Sequence, residues 1–268
     1  MFWLVLRRRA VRRPNPLAPF PAREGGRCSP PRVGEGPGER FPRVGEGLGE
    51  RSVTPEMILG IDLTATERRA SACAVLDAAA RVLDLRLCQT DNDLLTLAEE
   101  YRPEVVAIDA PLSLPAGLDC LEETCPCQPT SPHKGRACEQ ALARLGIGCY
   151  FTTKRSLIKA MVYRGMALQA ELVQRGLAVI EIYPFATKVR LFGRLPGKAT
   201  LAGREALWVR LRPLLAGGPA LPDDLPSHDL LDALLAAYTG LLYGRGQAEA
   251  LGDPAEGLLW IPSLSAWR

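Results

Sequence analysis

Four carboxylates stand where acids are costly to place. Asp62 and Asp109 each close a short apolar run, Met57–Thr64 (Met-Ile-Leu-Gly-Ile-Asp-Leu-Thr) and Glu104–Asp109 (Glu-Val-Val-Ala-Ile-Asp). Runs this short and apolar read as strands covered on both faces. An ionised Asp at the end of one is expensive to bury without a cation or a hydrogen-bond donor. Asp229 and Asp232 lie three apart at the start of a Leu/Ala-rich helical segment, so they share a face near its N-terminus. Singly, each has an ordinary explanation: a strand-end carboxylate caps the next loop, and acids early in a helix suit its dipole. Together, three or four carboxylates repel one another unless a divalent cation neutralises them. Hard oxygen ligands select Mg²⁺ or Mn²⁺, and the C-terminal ends of strands are where α/β sheets place ligands.

A second group is sulfur-based. Cys120, Cys125, Cys127 and Cys138 are spaced C-x4-C-x-C-x10-C, with His133 among them, in and just beyond an aperiodic stretch from Pro111 to about Lys134. So long a loop inside a domain is usually functional or stapled by a metal. Four thiolates satisfy a tetrahedral Zn²⁺. An iron–sulfur cluster also takes four Cys, although this spacing is not a ferredoxin run. Unligated reduced thiols are the alternative. Cys73, Cys88 and Cys149 read as small buried hydrophobes. With only two His in the chain, a nucleophilic Cys has few candidate bases.

The elements that must hold these groups follow from periodicity. Ala70–Leu76 and Arg81–Cys88 predict a hairpin joined through Asp77-Ala-Ala-Ala80. Asp91 is the expected N-cap of a helix running to about Tyr101, which Pro103 closes. Helical patterns follow at about Arg136–Leu145 and Lys154–Gln174, then a fifth strand, Leu177–Tyr183, carrying Glu181. Ala186–Phe192 and Arg204–Leu215 predict helices around a Gly197-Lys198 turn. Ser227 is a good N-cap for a long helix from His228 to about Tyr243, and Glu256–Leu264 predicts a last short strand. Three consecutive strands, a helix and a buried strand make a mixed α/β sheet flanked by helices, five strands in its main body, with a Cys-rich insertion (about 114–138) after the fourth.

Composition narrows the class. Of 268 residues 47% are hydrophobic and 24% charged, ordinary for a globular protein. No apolar run reaches the roughly 20 residues that span a bilayer. Met1–Leu6 followed by Arg7-Arg8-Arg9 has the wrong order for a secretory signal. A cytoplasmic setting with reduced thiols is the expectation. The net charge of +3 hides a split: residues 1–56 hold eleven Arg and six Glu, leaving 22 basic and 24 acidic residues beyond them. Bulk charge in the folded part therefore lends nothing to nucleic-acid binding. Residues 1–56, rich in Arg, Pro and Gly, contain the near-repeat 32–40 and 43–51 and cannot seed a core. They read either as a disordered tail or as sequence upstream of a misassigned start, with the domain occupying 57–268.

The order of elements and the placement of Asp on the first strand, the fourth strand and the last helix resemble the RNase H-like fold. More closely, Gly60-Ile-Asp62, Ile108-Asp-Ala-Pro-Leu-Ser113, Ile180-Glu-Ile-Tyr-Pro184 and His228-Asp-Leu-Leu-Asp-Ala-Leu234 resemble the family numbered 429 among domains of unknown function. That family is described as predicted nucleases of RNase H-like fold, and the resemblance covers about Met57 to Pro262. It implies two-metal hydrolysis of phosphodiester bonds, with nucleic acid as the partner. Asp62 would bridge both ions, Asp109 would hold one and Asp229 or Asp232 the other. Glu181 is a further candidate from the fifth strand, with a surface strand-end Glu beside Pro184 as the alternative, and His228 would orient water or phosphate, with a solvated helix-start His as the alternative. Lys154, Arg155 and Lys159 would meet substrate phosphates, the last two expected one helical turn apart; a plain solvated face is the alternative. Two rivals stand beside this reading: a kinase-like phosphotransferase on the same fold, with Asp62-Leu-Thr64 facing a nucleotide phosphate, and a non-catalytic binding protein.

Overall fold

Met57–Asp62 forms strand β1 in the computed structural model, which describes residues 57–264. No polar side chain precedes Asp62, so the strand can be covered on both faces, and Ile58, Leu59 and Ile61 are fully buried. β2 (Ser71–Asp77) runs antiparallel beside it, and β3 (Val82–Cys88) antiparallel beside β2. The connecting turn is closed by Asp77, whose Oδ1 accepts from the backbone N–H groups of Ala79 and Arg81 at 2.9 and 2.8 Å. β4 (Val105–Asp109) lies parallel to β1 on its other side, and β5 (Ala178–Ile182) parallel to β4.

The sheet then continues past the expected fifth strand. β7 (Gly257–Pro262) pairs parallel with β5, and β6 (Ala248–Asp253) forms the antiparallel edge, giving the order β3-β2-β1-β4-β5-β7-β6. The mixed α/β sheet thus has seven strands, not five. β6, Ala-Glu-Ala-Leu-Gly-Asp, has no β-branched or aromatic residue and leaves most of its length accessible, so propensity does not reveal it; its pairing with the more apolar β7 makes it a strand.

Helices cover both faces. α1 (Asp91–Tyr101) and α3 (Lys159–Gln174) pack Leu94, Leu97, Leu168 and Leu172 against Leu59 and Ile61. On the opposite face, α5 (Leu201–Leu211) and α6 (His228–Gly244) close over Ile58, Ala72 and Ala74, and α4 (Pro184–Phe192) lies against α6. α2 (Ala137–Arg144) seals the β6/β7 end. Sandwiched between the sheet and other helices, α6 is buried continuously from Leu231 to Leu242, the environment its Leu/Ala composition anticipates.

Gly60 sets how closely α6 approaches β1. A Cβ there would lie 2.1 Å from Ala237 N and 2.5 Å from Ala233 O, both backbone atoms. Only Gly lets helix and strand touch main chain to main chain, and the contact brings the start of α6 to the end of β1.

Several helix starts differ from expectation: α4 opens at Pro184 rather than Ala186 and α5 at Leu201 rather than Arg204, and α1 and α3 differ at their caps. Thr90, not Asp91, caps α1: Thr90 Oγ1 accepts from Asp93 N at 3.1 Å and Asp93 Oδ2 accepts from Thr90 N at 2.8 Å, a reciprocal box. α3 begins at Lys159, not Lys154, because 152–158 are held in turns, with Thr152 anchored to Glu139 and Ser156 N donating to Thr153 O. Arg155 and Lys159 therefore share no helical face. The expectations for residues 1–56 lie outside the described residues. Among the described residues no helix is long and apolar enough to cross a membrane.

Candidate active site

Parallel pairing of β1 and β4 sets Asp62 directly opposite Asp109. Both are the last residues of their strands, and α6, drawn in at Gly60, adds Asp232 from above. Asp62, Asp109 and Asp232 each offer an oxygen within 4.8 Å of the others. Asp232 is the most buried, at 3% exposure. Asp229, one turn earlier, stands at the edge of the cluster, where its carboxyl hydrogen-bonds Asp62. His228 Nε2 lies 3.0 Å from Asp229 Oδ1 and the ring is half exposed, so His228 faces Asp229 at the rim.

The electrostatics match the crowding. Burial pushes the Asp62 carboxyl up to about 7; Lys198 and Arg69 pull it down, while the charge and hydrogen bond of Asp229 push it further up. Asp109 is held well above the carboxylate range, first by burial, then by Asp62, with Lys198 opposing and Glu181 adding. The charge that partly relieves the cluster is Lys198, whose ammonium ion-pairs with Asp232. Sequence reading treated Lys198 only as part of a turn. It is one of five lysines in the chain, and three converging acids call for a cation; that was the available signal.

Glu181 is not part of this triad. Its Oε1 and Oε2 accept from Arg136 Nη2 and Nη1 at 2.6 and 2.7 Å, and Oε2 also accepts from Leu112 N at 2.8 Å. Arg136 in turn donates to Glu139 Oε1 at 3.0 Å and Ser113 Oγ at 3.1 Å, and Glu139 accepts from both Thr152 N and Thr152 Oγ1. Arg136, Glu139 and Glu181 are all buried, and flanking carboxylates hold Arg136 firmly charged. The network ties the insertion and α2 to the end of β5. A buried guanidinium shared by two carboxylates is strongly destabilising to break once formed. Arg136 and Glu139 were not anticipated; their i, i+3 spacing at the start of α2 is the one local sign.

The family profile described as "Protein of unknown function (DUF429)" matches residues 60–257. The chain belongs to that family. No curated protein sequence matches it. Among solved structures, RuvC from Thermus thermophilus is similar at 16% identity and a TM-score of 0.42, over 71% of this chain and 96% of that one. T. thermophilus RuvC in complex with a Holliday junction substrate gives 17% identity and a TM-score of 0.39, again over 71% and 96%.

The DUF429 match takes in the whole Cys-rich insertion. Cys120, Cys125 and Cys127 converge with their sulfurs within 4.8 Å of one another, and Cys125 Sγ lies 3.2 Å from Cys127 Sγ. Burial opposes ionisation of Cys127, yet hydrogen bonding to Cys125 and to the backbone at Cys120 and Asp119, with the Lys154 charge, lowers its thiol to about 7. Cys138 does not join them. Placed in the first turn of α2, it faces inward with Leu142, Ile147 and Ala186, and burial lifts its thiol to about 12. His133 is exposed and outside the cluster.

The basic residues divide. Lys154 Nζ donates to the carbonyls of Cys125 and Cys127, both at 2.5 Å, so it pins the Cys loop instead of facing solvent. Arg155 is 87% exposed and only 3.4 Å from Glu123 Oε2, a loose surface pair. Lys159 opens α3, next to Ile158, which lines the same recess as Asp109.

Proposed function

We propose that this protein is a divalent-metal-dependent nuclease of RNase H-like fold, acting in the cytoplasm on nucleic acid by two-metal phosphodiester hydrolysis. The observation that carries the reading is the convergence of Asp62, Asp109 and Asp232 at the C-terminal ends of two parallel strands. The donor set fits Mg²⁺ or Mn²⁺: it is all oxygen, and burial together with the neighbouring acids holds two of its carboxyls above their ordinary range, a penalty a bound cation relieves. One ammonium, that of Lys198, faces these acids, and a divalent ion supplies more charge at the same place.

In this mechanism the bound ions supply an activated water and stabilisation of the leaving oxygen. The residues do the positioning. Asp62, between Asp109 and the α6 acids, would be shared by the bound ions, with Asp109 on one side and Asp232 and Asp229 on the other. Arg136, by holding Ser113 and Glu181, whose carboxylate accepts from Leu112 N, fixes the loop that leaves β4 and hence the direction of Asp109. His228 orients phosphate or water from the rim through Asp229. With Asp232 holding a cation, Lys198 would be free to face the phosphate, a role its flexible, partly exposed side chain permits.

The Cys loop, on this reading, is a zinc-stapled insertion. Three clustered thiols, one of low pKa, suit Zn²⁺, with water or a further group completing the tetrahedron. Among the described residues there is no fourth thiolate for an iron–sulfur cluster.

Cleavage of a panel of DNA and RNA substrates, single-stranded, duplex, hybrid and branched, with Mg²⁺ or Mn²⁺, tests the proposal by comparing the native chain with Asp62→Asn. Activity lost in the variant, with its fold retained, is the expected result. Equal activity in both rejects this site.

A further inference from the structure

Between the Cys-rich insertion and residues 150–157 lies a cavity of about 530 Å³, within the roughly 300–1,000 Å³ span of small-ligand sites. Its lining includes Tyr150, Phe151, Leu157, His133, Lys134 and Arg155, and no acidic residue is among its wall residues. Two acids stand just behind this wall: Glu123, which pairs with Arg155, and the buried Glu139, which accepts from Thr152.

Three features give the cavity a chemical character. Tyr150 is 69% and Leu157 93% exposed, large apolar side chains that a wall facing only water has no reason to present. The ring of Phe151 already holds a cation, with Lys134 Nζ 5.3 Å from its centroid. The walls are also fixed: Thr152, next to Phe151, is anchored on Glu139 of the Arg136 network, and Lys154 is bound to the Cys-loop carbonyls. Flat aromatic groups among cations, on rigid walls, recognise a planar base joined to phosphate. The cavity adjoins the smaller hollow lined by Asp109, since Tyr150 lines both.

We infer that this cavity binds an unpaired nucleotide of the substrate strand, its base stacked on Tyr150 and its phosphates met by Lys134 and Arg155, so that single-stranded or locally unpaired nucleic acid is the preferred substrate. The inference rests on the nuclease reading and names its substrate class. A fully paired duplex can fill the cavity only by swinging a base out of its stack, which costs energy. The insertion is then a substrate-binding wall, and the near-neutral charge of the domain conceals a local cationic groove.

Fluorescence anisotropy of labelled oligonucleotides, in the native full-length protein with Ca²⁺ in place of Mg²⁺ or Mn²⁺ and no chelator, so that cleavage is suppressed and the Cys loop keeps its metal, tests this without reference to activity. The single strand is expected to bind about tenfold or more tighter than the duplex of the same sequence. Tyr150→Ala should weaken it about five- to hundredfold, the loss of one stacked base, while Tyr150→Trp retains binding. Tyr150 is exposed, so neither variant threatens the fold. Equal or tighter duplex binding, or an unchanged Tyr150→Ala, overturns the inference. So does a free mononucleotide that competes as well as the strand, which would assign the cavity to a small nucleotide. If cleavage depends on Asp62 but single strands are not preferred, only this inference fails. If single strands bind through Tyr150 and nothing on the panel is cleaved, only the nuclease reading fails.

Discussion

Replacing Gly60 by Ala tests how the fold brings the acids together. The added Cβ would sit 2.1 Å from Ala237 N and 2.5 Å from Ala233 O, against an ordinary contact of roughly 3.5 Å. Both neighbours are main-chain atoms of α6, so no side-chain rotation relieves the clash, and helix and strand must part by about 1 Å or more. α6 cannot simply retreat, because Leu207 and Leu211 of α5 and the helix α4 pack against it. Overpacking of a full core costs about 1–3 kcal/mol, occasionally more; with two backbone clashes the upper end, ~3 kcal/mol, is expected. The same displacement draws Asp232 away from Asp62, so Mn²⁺ affinity should fall as well, by about tenfold for each ~1.4 kcal/mol of lost coordination. Urea unfolding of the metal-free protein measures the first effect and Mn²⁺ titration the second. Gly148→Ala is the control: a Cβ there meets nothing within 4 Å, so its stability should stay within about 0.5 kcal/mol of the native chain. A Gly60→Ala protein as stable as this control would refute the argument that this glycine sets the approach of α6.

Three further outcomes follow from the site. Lys198→Met removes the cation paired with Asp232; since that side chain is 35% exposed, screening limits the effect to about tenfold tighter Mn²⁺ binding, ~1.4 kcal/mol, with a lower melting temperature of the metal-free protein. Asp62 has a folded-state value of about 7 against an ordinary 3.8, so its contribution to the stability of the metal-free fold is complete below about pH 4 and is lost as pH rises through 7. Urea unfolding free energies between about pH 4 and 7 should show this decline, at most ~4 kcal/mol from this group, and Mn²⁺ should abolish it, releasing about one proton from Asp62 on binding near pH 6. Purified protein should contain about one zinc per chain by elemental analysis, lost when Cys120, Cys125 and Cys127 are replaced together and retained in Cys138→Ala.

The parts of this site that were legible in the sequence are those set by local pattern. Apolar runs ending in Asp62 and Asp109 announced two buried strands with acids at their ends, and the three-residue spacing of Asp229 and Asp232 placed both on one face of α6. Spacing alone could not say which of the two enters the cluster. That depends on the crossing of α6 over β1 at Gly60, a contact between residues far apart in the chain. Lys198 and Arg136 stayed hidden for the same reason, because each meets its carboxylate partner from a distant segment. Cys138 was grouped with the other thiols by its interval, and the start of α2 at Ala137 turned it into the core instead. β6 was missed because its residues have little strand preference and its pairing with β7 defines it.

Mn²⁺ binding at the carboxylates is the most direct test of the central claim. Titration of the protein, native and with Asp109→Asn, by electron paramagnetic resonance reports free Mn²⁺ without reference to substrate. The account predicts saturable binding to the native chain, weakened about tenfold or more by Asp109→Asn. No Mn²⁺ binding, or binding indifferent to Asp109, would contradict it.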